Sequence, residues 1–277
     1  MNHSKLLEIN HREMQRIALD ALKYFASFCE KHNLRYFLAG GSLIGAIRNH
    51  GFIPWDDDID ICMPRNDYQK FLELSEEDSQ SHYEILTPYK KKYCIYTYMK
   101  FYDSRTVLID LPDTVKYPLG VYLDVYPVDG LPESMAESDR LYKNIRRLIS
   151  LHFLFNARYK IYIQKSNIVK KLVGYAIGVI GKLFIGNYFF NRLDREARKR
   201  DFDKSRYVGR LVAGKGSKER ILNDCFSAYV RVRFEDGIFN APQCYHQYLS
   251  NLYGDYMELP PEQERVKRHH NYVYWKQ

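Results

Sequence analysis

Four aspartates fall within five positions of one another: Asp56, Asp57, Asp58 and Asp60. From Asp58 onward the chain alternates charged and apolar, with Ile59 and Ile61 as the apolar members. Alternate side chains of an extended strand share a face, so Asp58 and Asp60 are predicted to project together above buried isoleucines. Carboxylates held this close raise each other's proton affinity unless a cation sits between them. Mg2+, a hard ion that prefers oxygen and keeps open positions for phosphate oxygens, suits such a pair. The alternative is a solvated acidic turn after Pro54. The segment upstream argues against the turn. Gly40, Gly41 and Ser42 follow a short apolar run, Tyr36 to Ala39, and precede a helical pattern of Leu43, Ile44, Ala46 and Ile47. Ser42 reads as a helix N-cap, and the glycines let backbone approach a ligand closely. Amide groups at a helix start bind anions. A phosphate cradle beside a metal-binding acid pair predicts metal-assisted phosphoryl chemistry.

A further acid lies inside a strand pattern, GVYLDVYPVDG at 120 to 130. Val121, Leu123 and Val125 alternate with Tyr122, Asp124 and Tyr126, which puts Asp124 on the face away from the aliphatics. It is either the polar face of an edge strand or a third member of the acid site. Asp129, after Pro127, reads as a turn residue. Arg48 and Arg65 flank the first acids and would clamp phosphates bidentately, or else pair with the spare carboxylates Asp56 and Asp57. Lys215, in a glycine-flanked loop, is a phosphate contact or a solvated lysine. His269 and His270 read as surface residues near a mobile end.

The text GSLIGAIRNHGFIPWDDDIDICMPR resembles the LicD family, which includes phosphocholine transferases and relatives of the fukutin-related protein. Gly41, Ser42, Leu43, Gly45, Arg48, Gly51, Phe52, Ile53, Pro54, Trp55, Asp56, Asp58, Asp60 and Arg65 all fall in register with it. FEDGIFNAP and YHQYLSNLYGDYMELPP, from 234 onward, resemble that family's C-terminal part; the likeness is weakest through 135 to 200. The resemblance implies a nucleotidyltransferase-like fold in which Asp124 is the third carboxylate, bridging metal and acceptor hydroxyl and helping to deprotonate it. One or two Mg2+, with Mn2+ as a substitute, would sit on Asp58, Asp60 and Asp124. Gly41, Ser42, Arg48, Arg65 and Lys215 would contact the substrate. The implied reaction moves a phospho-alcohol, phosphocholine first among the candidates, from CDP-choline or another CDP-alcohol to a glycan hydroxyl of a lipopolysaccharide or teichoic acid precursor, and releases CMP. Two alternatives remain: nucleotidyl transfer from an NTP to a small molecule, and a non-catalytic glycan-binding protein on the same fold.

These residues need a scaffold, and the pattern supplies an α/β (α+β) one: a small mixed sheet carrying Asp58, Asp60 and Asp124, flanked by helices. Periodicity predicts a helix over 4–32 and a strand at 34–39. A helix follows from Ser42 to Asn49, then the acid strand at 57–62 and a helix from Pro64 to Glu77. Strands at 83–86, 93–102 and 106–110 form a meander beside the first two. Residues 1–134 make the catalytic core, 135–204 a basic helical segment, and 205–277 the part that completes the catalytic domain, with a hairpin turning at Glu235-Asp236-Gly237.

The 277 residues carry a net charge of +8. Arg140 to Arg200 holds 15 Lys or Arg against two acids, a net +13 that leaves −5 for the remainder. That asymmetry predicts an anionic partner for the middle segment. Within it, 167–190 falls short of a spanning helix. It reads either as a helix lying in a membrane interface with basic residues toward anionic lipid, or as one packed on the core. An acceptor that is lipid-linked at the inner membrane face fits the first reading. Positive charge beside an apolar stripe, without stacking aromatics, argues against nucleic acid as a partner. The five cysteines are scattered and lack CxxC spacing, and no secretory hydrophobic region opens the chain. Both observations predict reduced thiols and a cytoplasmic protein, peripheral on the membrane at most.

Overall fold

The computed structural model describes residues 7–76, 81–109, 117–156, 186–265 and 272–276, with positions 173, 176, 179 and 181. In chain order its elements begin with β1 (Leu7–Ile9), α1 (His11–Lys31), β2 (Phe37–Leu38), α2 (Gly40–Asn49), β3 (Ile59–Pro64) and α3 (Arg65–Leu74). There follow β4 (Tyr83–Leu86), β5 (Met99–Asp103), β6 (Thr106–Leu108), β7 (Tyr122–Leu131), α4 (Met135–Asn156) and α5 (Tyr188–Ala197). The last are β8 (Tyr207–Gly209), β9 (Ile221–Leu222), α6 (Asp224–Ser227), β10 (Tyr229–Phe234), β11 (Gly237–Pro242), α7 (Tyr245–Tyr253) and β12 (Val273–Trp275).

The main sheet runs β2-β3-β7-β5-β4, with β8 on the far half of β7 and β9 on β8. Strands β3 and β7 are parallel; their neighbours pair antiparallel, making the sheet mixed. The α+β, nucleotidyltransferase-like architecture expected from the sequence is the one observed. The sheet's aliphatic face is dry: Ile59, Ile61, Leu123 and Val125 are fully buried. Helix α1 covers it through Leu22, Phe25 and Cys29. Phe25 lies between Phe71 of α3 and Phe101 of β5, ring centroids 4.6 and 5.6 Å away.

Several expectations are corrected. The first helix starts at His11, where Asn10 Oδ1 accepts the Glu13 amide. The residues before it form β1 instead, zipped to β12 and through it to β6. The third strand of the expected meander therefore belongs to a separate three-stranded sheet. Asp129 is no turn residue: it lies inside β7, fully buried. Cys225 and Cys244 form a disulfide with Cα atoms 5.0 Å apart. The reason is topological: the β10–β11 hairpin folds back on itself, so residues just outside its two ends become neighbours. The thiol argument for a reducing compartment thus keeps three buried cysteines, Cys29, Cys62 and Cys94.

The basic segment is described at its two ends. There α4 and α5 pack on a second small core of Tyr142, Ile145, Leu148, Leu193 and Leu211. Most of 167–190, including Lys170, Lys171 and Lys182, lies outside the described residues, as do His269 and His270. Among the described residues no helix is long and apolar enough to cross a membrane.

Candidate active site

The register of the sheet builds the site. Asp60 of β3 faces Asp124 of β7 across the parallel pair, and Asp124 faces Lys100 of β5 across the antiparallel one. Three charged side chains thus form one row over three adjacent strands, on the face opposite Ile59, Ile61, Leu123 and Val125. Asp58 stands just before β3. Carboxylate oxygens of Asp58, Asp60 and Asp124 lie within 4.8 Å of one another, and a second group of this kind joins Asp58 to Asp56 and Asp57. An all-oxygen set at this spacing fits a hard divalent cation.

Helix α2 sits against the row. Its N-cap is Ala39, not Ser42, which lies inside the first turn. Ser42 instead supports the acid strand, its Oγ accepting the Asp60 amide at 2.9 Å. The Gly41 amide donates to Asp60 Oδ2 at 3.2 Å, so one donor of the expected anion cradle already holds the chain's own carboxylate. The glycines are required by closeness. Gly40 has φ +51°, and a Cβ there would fall 2.9 Å from Asp60 Cγ; at Gly41 it would fall 2.5 Å from Asp56 Oδ2. Only glycine accepts both demands at position 40.

Tyr126, two residues along β7 on the same face, bridges the acids. Its hydroxyl lies 3.1 Å from Asp60 Oδ1 and 3.2 Å from Asp124 Oδ2. Behind its ring, 4.9 Å from the centroid, is the Arg210 guanidinium. Arg210 is buried and paired with Glu219 at 2.8 Å, and Glu219 also accepts from Tyr248 at 3.1 Å. Burial, and then the charges of Asp58 and Asp124, push Asp60 up to about 7, against the opposing pull of Arg210 and Tyr126.

Asp58, Asp60 and Gly41 open onto a cavity of about 680 Å3. Arg48, Trp55, Tyr253 and Tyr256 line it, with Asp255, Glu258 and Glu264 at the side formed by the chain after α7. Arg48 Nη1 donates to the Tyr256 carbonyl at 3.1 Å. Lys215 lies against one of the lining residues, its ammonium 3.6 Å from the Tyr253 ring centroid.

Arg65 is placed elsewhere. It is buried in a bidentate pair with Asp129, at 2.6 and 2.9 Å, and reaches Asp194 of α5 at 3.3 Å. Burial works against its charge, yet the Asp129 carboxylate holds the guanidinium well above its ordinary value. Neither the phosphate clamp nor the expected partners Asp56 and Asp57 describe it. It fastens the basic segment to the catalytic sheet. The structure brings Asp58, Asp60, Asp124, Gly41, Ser42 and Arg48, all read from the sequence, into one neighbourhood. Sequence reading misses Lys100, Tyr126 and Arg210. For Lys100 there was a signal, a lone cation in the aromatic strand text YTYMKFY.

A small mixed sheet with three carboxylates converging from two parallel strands defines a nucleotidyltransferase-like enzyme class, one that handles phosphoryl-linked groups. Comparison with known proteins gives the family. The family model described as "LicD/FKTN/FKRP, nucleotidyltransferase domain" matches residues 33–157. Lipopolysaccharide cholinephosphotransferase LicD of Haemophilus influenzae is 32% identical over 272 residues, covering 94% of this chain and 95% of that protein. An uncharacterized protein of Rickettsia prowazekii is 31% identical over 149 residues, 45% of this chain and 56% of its own. The chain belongs to the LicD family, and it is a phosphotransferase.

Proposed function

We propose that the protein transfers phosphocholine from CDP-choline to a glycan hydroxyl of a lipopolysaccharide-type acceptor, releasing CMP. The observation that carries this is the near full-length identity to a lipopolysaccharide cholinephosphotransferase in a chain that keeps Asp58, Asp60 and Asp124 together. The cavity supports it further. Trp55 and Tyr256 beside Asp255, Glu258 and Glu264 offer aromatic surface and negative charge, the chemistry that recognises a quaternary ammonium. Arg48 is the basic group among the lining residues for a donor phosphate. A teichoic acid precursor, or an acceptor held at the inner membrane face, is chemically equivalent at the hydroxyl.

Mg2+ held by Asp58, Asp60 and Asp124 would neutralise the donor's pyrophosphate. The chain's own residues do the rest. The acceptor oxygen bonds to the choline-bearing phosphorus as that phosphorus separates from the oxygen it shares with CMP. Asp124 takes the hydroxyl proton. Gly41 and Ser42 keep Asp60 in place, and the cavity wall orients the donor.

The test is 31P NMR of the protein with Mg2+ and CDP-choline, with and without a lipopolysaccharide acceptor, beside Asp58→Asn. Acceptor-dependent CMP release that the substitution abolishes is the expected result. Turnover with CDP-ribitol or CDP-glycerol alone would replace the alcohol. Pyrophosphate release from an NTP would overturn the reading.

The proton on Asp60 sets a pH dependence. Its value, about 7, lies above that of an unfolded carboxylate, about 3.9. Any stability it lends the metal-free fold is complete below the unfolded value and is lost as pH rises through 7. A metal ion has the opposite preference and must displace the proton. Mg2+ affinity is therefore expected to fall about tenfold per pH unit below 7, with roughly one proton released per ion at pH 6. Calorimetric titration in two buffers of different ionisation enthalpy measures both.

A further inference from the structure

Lys100 is only 3% exposed, and its ammonium lies 2.5 Å from Asp124 Oδ1. Three tyrosine rings enclose the same nitrogen, with centroids at 3.5 Å for Tyr122, 4.6 Å for Tyr96 and 5.5 Å for Tyr98. Ion pair and aromatic box together fix the charge in place. Lysine is rarely buried unless paired in this way.

The row of strands gives this ammonium a definite side. Asp124 has Asp60 on its β3 neighbour and Lys100 on its β5 neighbour. Its two oxygens divide accordingly: Oδ1 goes to Lys100, while Oδ2 shares the Tyr126 hydroxyl with Asp60 Oδ1. Two-metal phosphoryl-transfer sites hold ions about 3.5–4 Å apart as a clamp on attacking and leaving oxygens. A carboxylate that bridges such ions needs one oxygen for each. Here the oxygen that would face the second ion already faces an ammonium.

We infer that Lys100 stands in for a second metal ion, so that without nucleotide the site holds a single divalent cation among Asp58, Asp60 and Asp124 Oδ2. The inference rests on the metal-site reading proposed above. Lys100 is then a positioning residue, a permanent cation that binds one oxygen of Asp124 and needs no recruitment from solution. A second consequence concerns the donor. The Tyr96, Tyr98 and Tyr122 box has the chemistry for a quaternary ammonium but is filled by the chain's own. The cationic head is left the aromatic surface of Trp55 and Tyr256.

Manganese counting by electron paramagnetic resonance tests this, using the full chain with Mn2+ alone and no nucleotide. Wild type is expected to take one Mn2+. Lys100→Met, which keeps the side chain's length in the tyrosine box but removes its charge, is expected to bind Mn2+ at least tenfold more tightly or to take a second ion with a spin-coupled spectrum. Lys100→Arg should remain at one. Two ions on the wild type, or weaker binding by Lys100→Met, would show that Lys100 only anchors Asp124, and would overturn the inference. If Lys100→Met does not fold, the wild-type count alone decides. Asp58→Asn separates the two readings: if it binds Mn2+ as the wild type does, the metal reading of the acids falls and takes this inference with it.

Discussion

Asp60→Asn is expected to give a folded, inactive protein that melts no lower than the wild type. Two effects act in opposite directions on the same side chain. In the working site Asp60 is one of three converging carboxylates: one of its oxygens lies within 4.8 Å of those of Asp58 and Asp124. Losing its charge removes a ligand that no neighbour replaces, and turnover should fall by about 10³-fold or more, the scale of losing a preorganised electrostatic group at a reacting centre. In the metal-free protein that same charge is a burden, which is why burial and its neighbours push Asp60 up to about 7. An amide of equal shape removes the repulsion. It also keeps an oxygen for the Gly41 amide or the Tyr126 hydroxyl, so the metal-free melting temperature at pH 8 should hold or rise by a few degrees. The wild type should gain more from added Mg2+ than Asp60→Asn does, since only a bound ion converts to stability. Thermal melts with and without Mg2+, beside CMP release by 31P NMR, measure all three quantities. A variant that is inactive because it is unfolded would contradict the account of Asp60 as strained.

What the sequence disclosed and what it withheld follow one division. Asp58, Asp60 and Asp124 could be read because each sits in a local alternation with aliphatics, and alternation alone decides which face a strand residue takes. The glycines and Ser42 could be placed beside them because one contiguous stretch, 40–64, holds the whole α2–β3 unit. Ser42's actual partner could not, since a hydroxyl that accepts the Asp60 amide and one that caps a helix look the same in sequence. Lys100 and Tyr126 become site residues only through the order β3-β7-β5, which is tertiary information. The β1, β12 and β6 strands are three residues each, too short for periodicity to register, and they join segments from both ends of the chain. Arg65 is the instructive failure. It fell in register with the family text and lay close to the acids in sequence, yet its partner Asp129 comes from a strand 64 residues on. Proximity in sequence to a site is weak evidence of membership in it.

That pair carries the largest expected effect on stability. Arg65→Met is expected to cost about 3–5 kcal/mol, because it leaves the fully buried Asp129 charged and alone. The same change strips Asp194 of one partner and so loosens α5 from the sheet; Arg198, at 2.8 Å, remains to hold that carboxylate. Asp129→Leu alone should be similarly harmful, now with the guanidinium stranded. The double variant Arg65→Met with Asp129→Leu removes both charges and substitutes apolar volume. Apolar pairs often match or exceed the ion pairs they replace, so most of the loss should be recovered, and the double variant should cost far less than the two single losses added together. Urea denaturation of the four proteins closes the cycle. CMP release by the double variant then distinguishes the two descriptions of Arg65. If it anchors the basic segment, the refolded double variant retains turnover. If it touches donor phosphate, stability returns and activity does not.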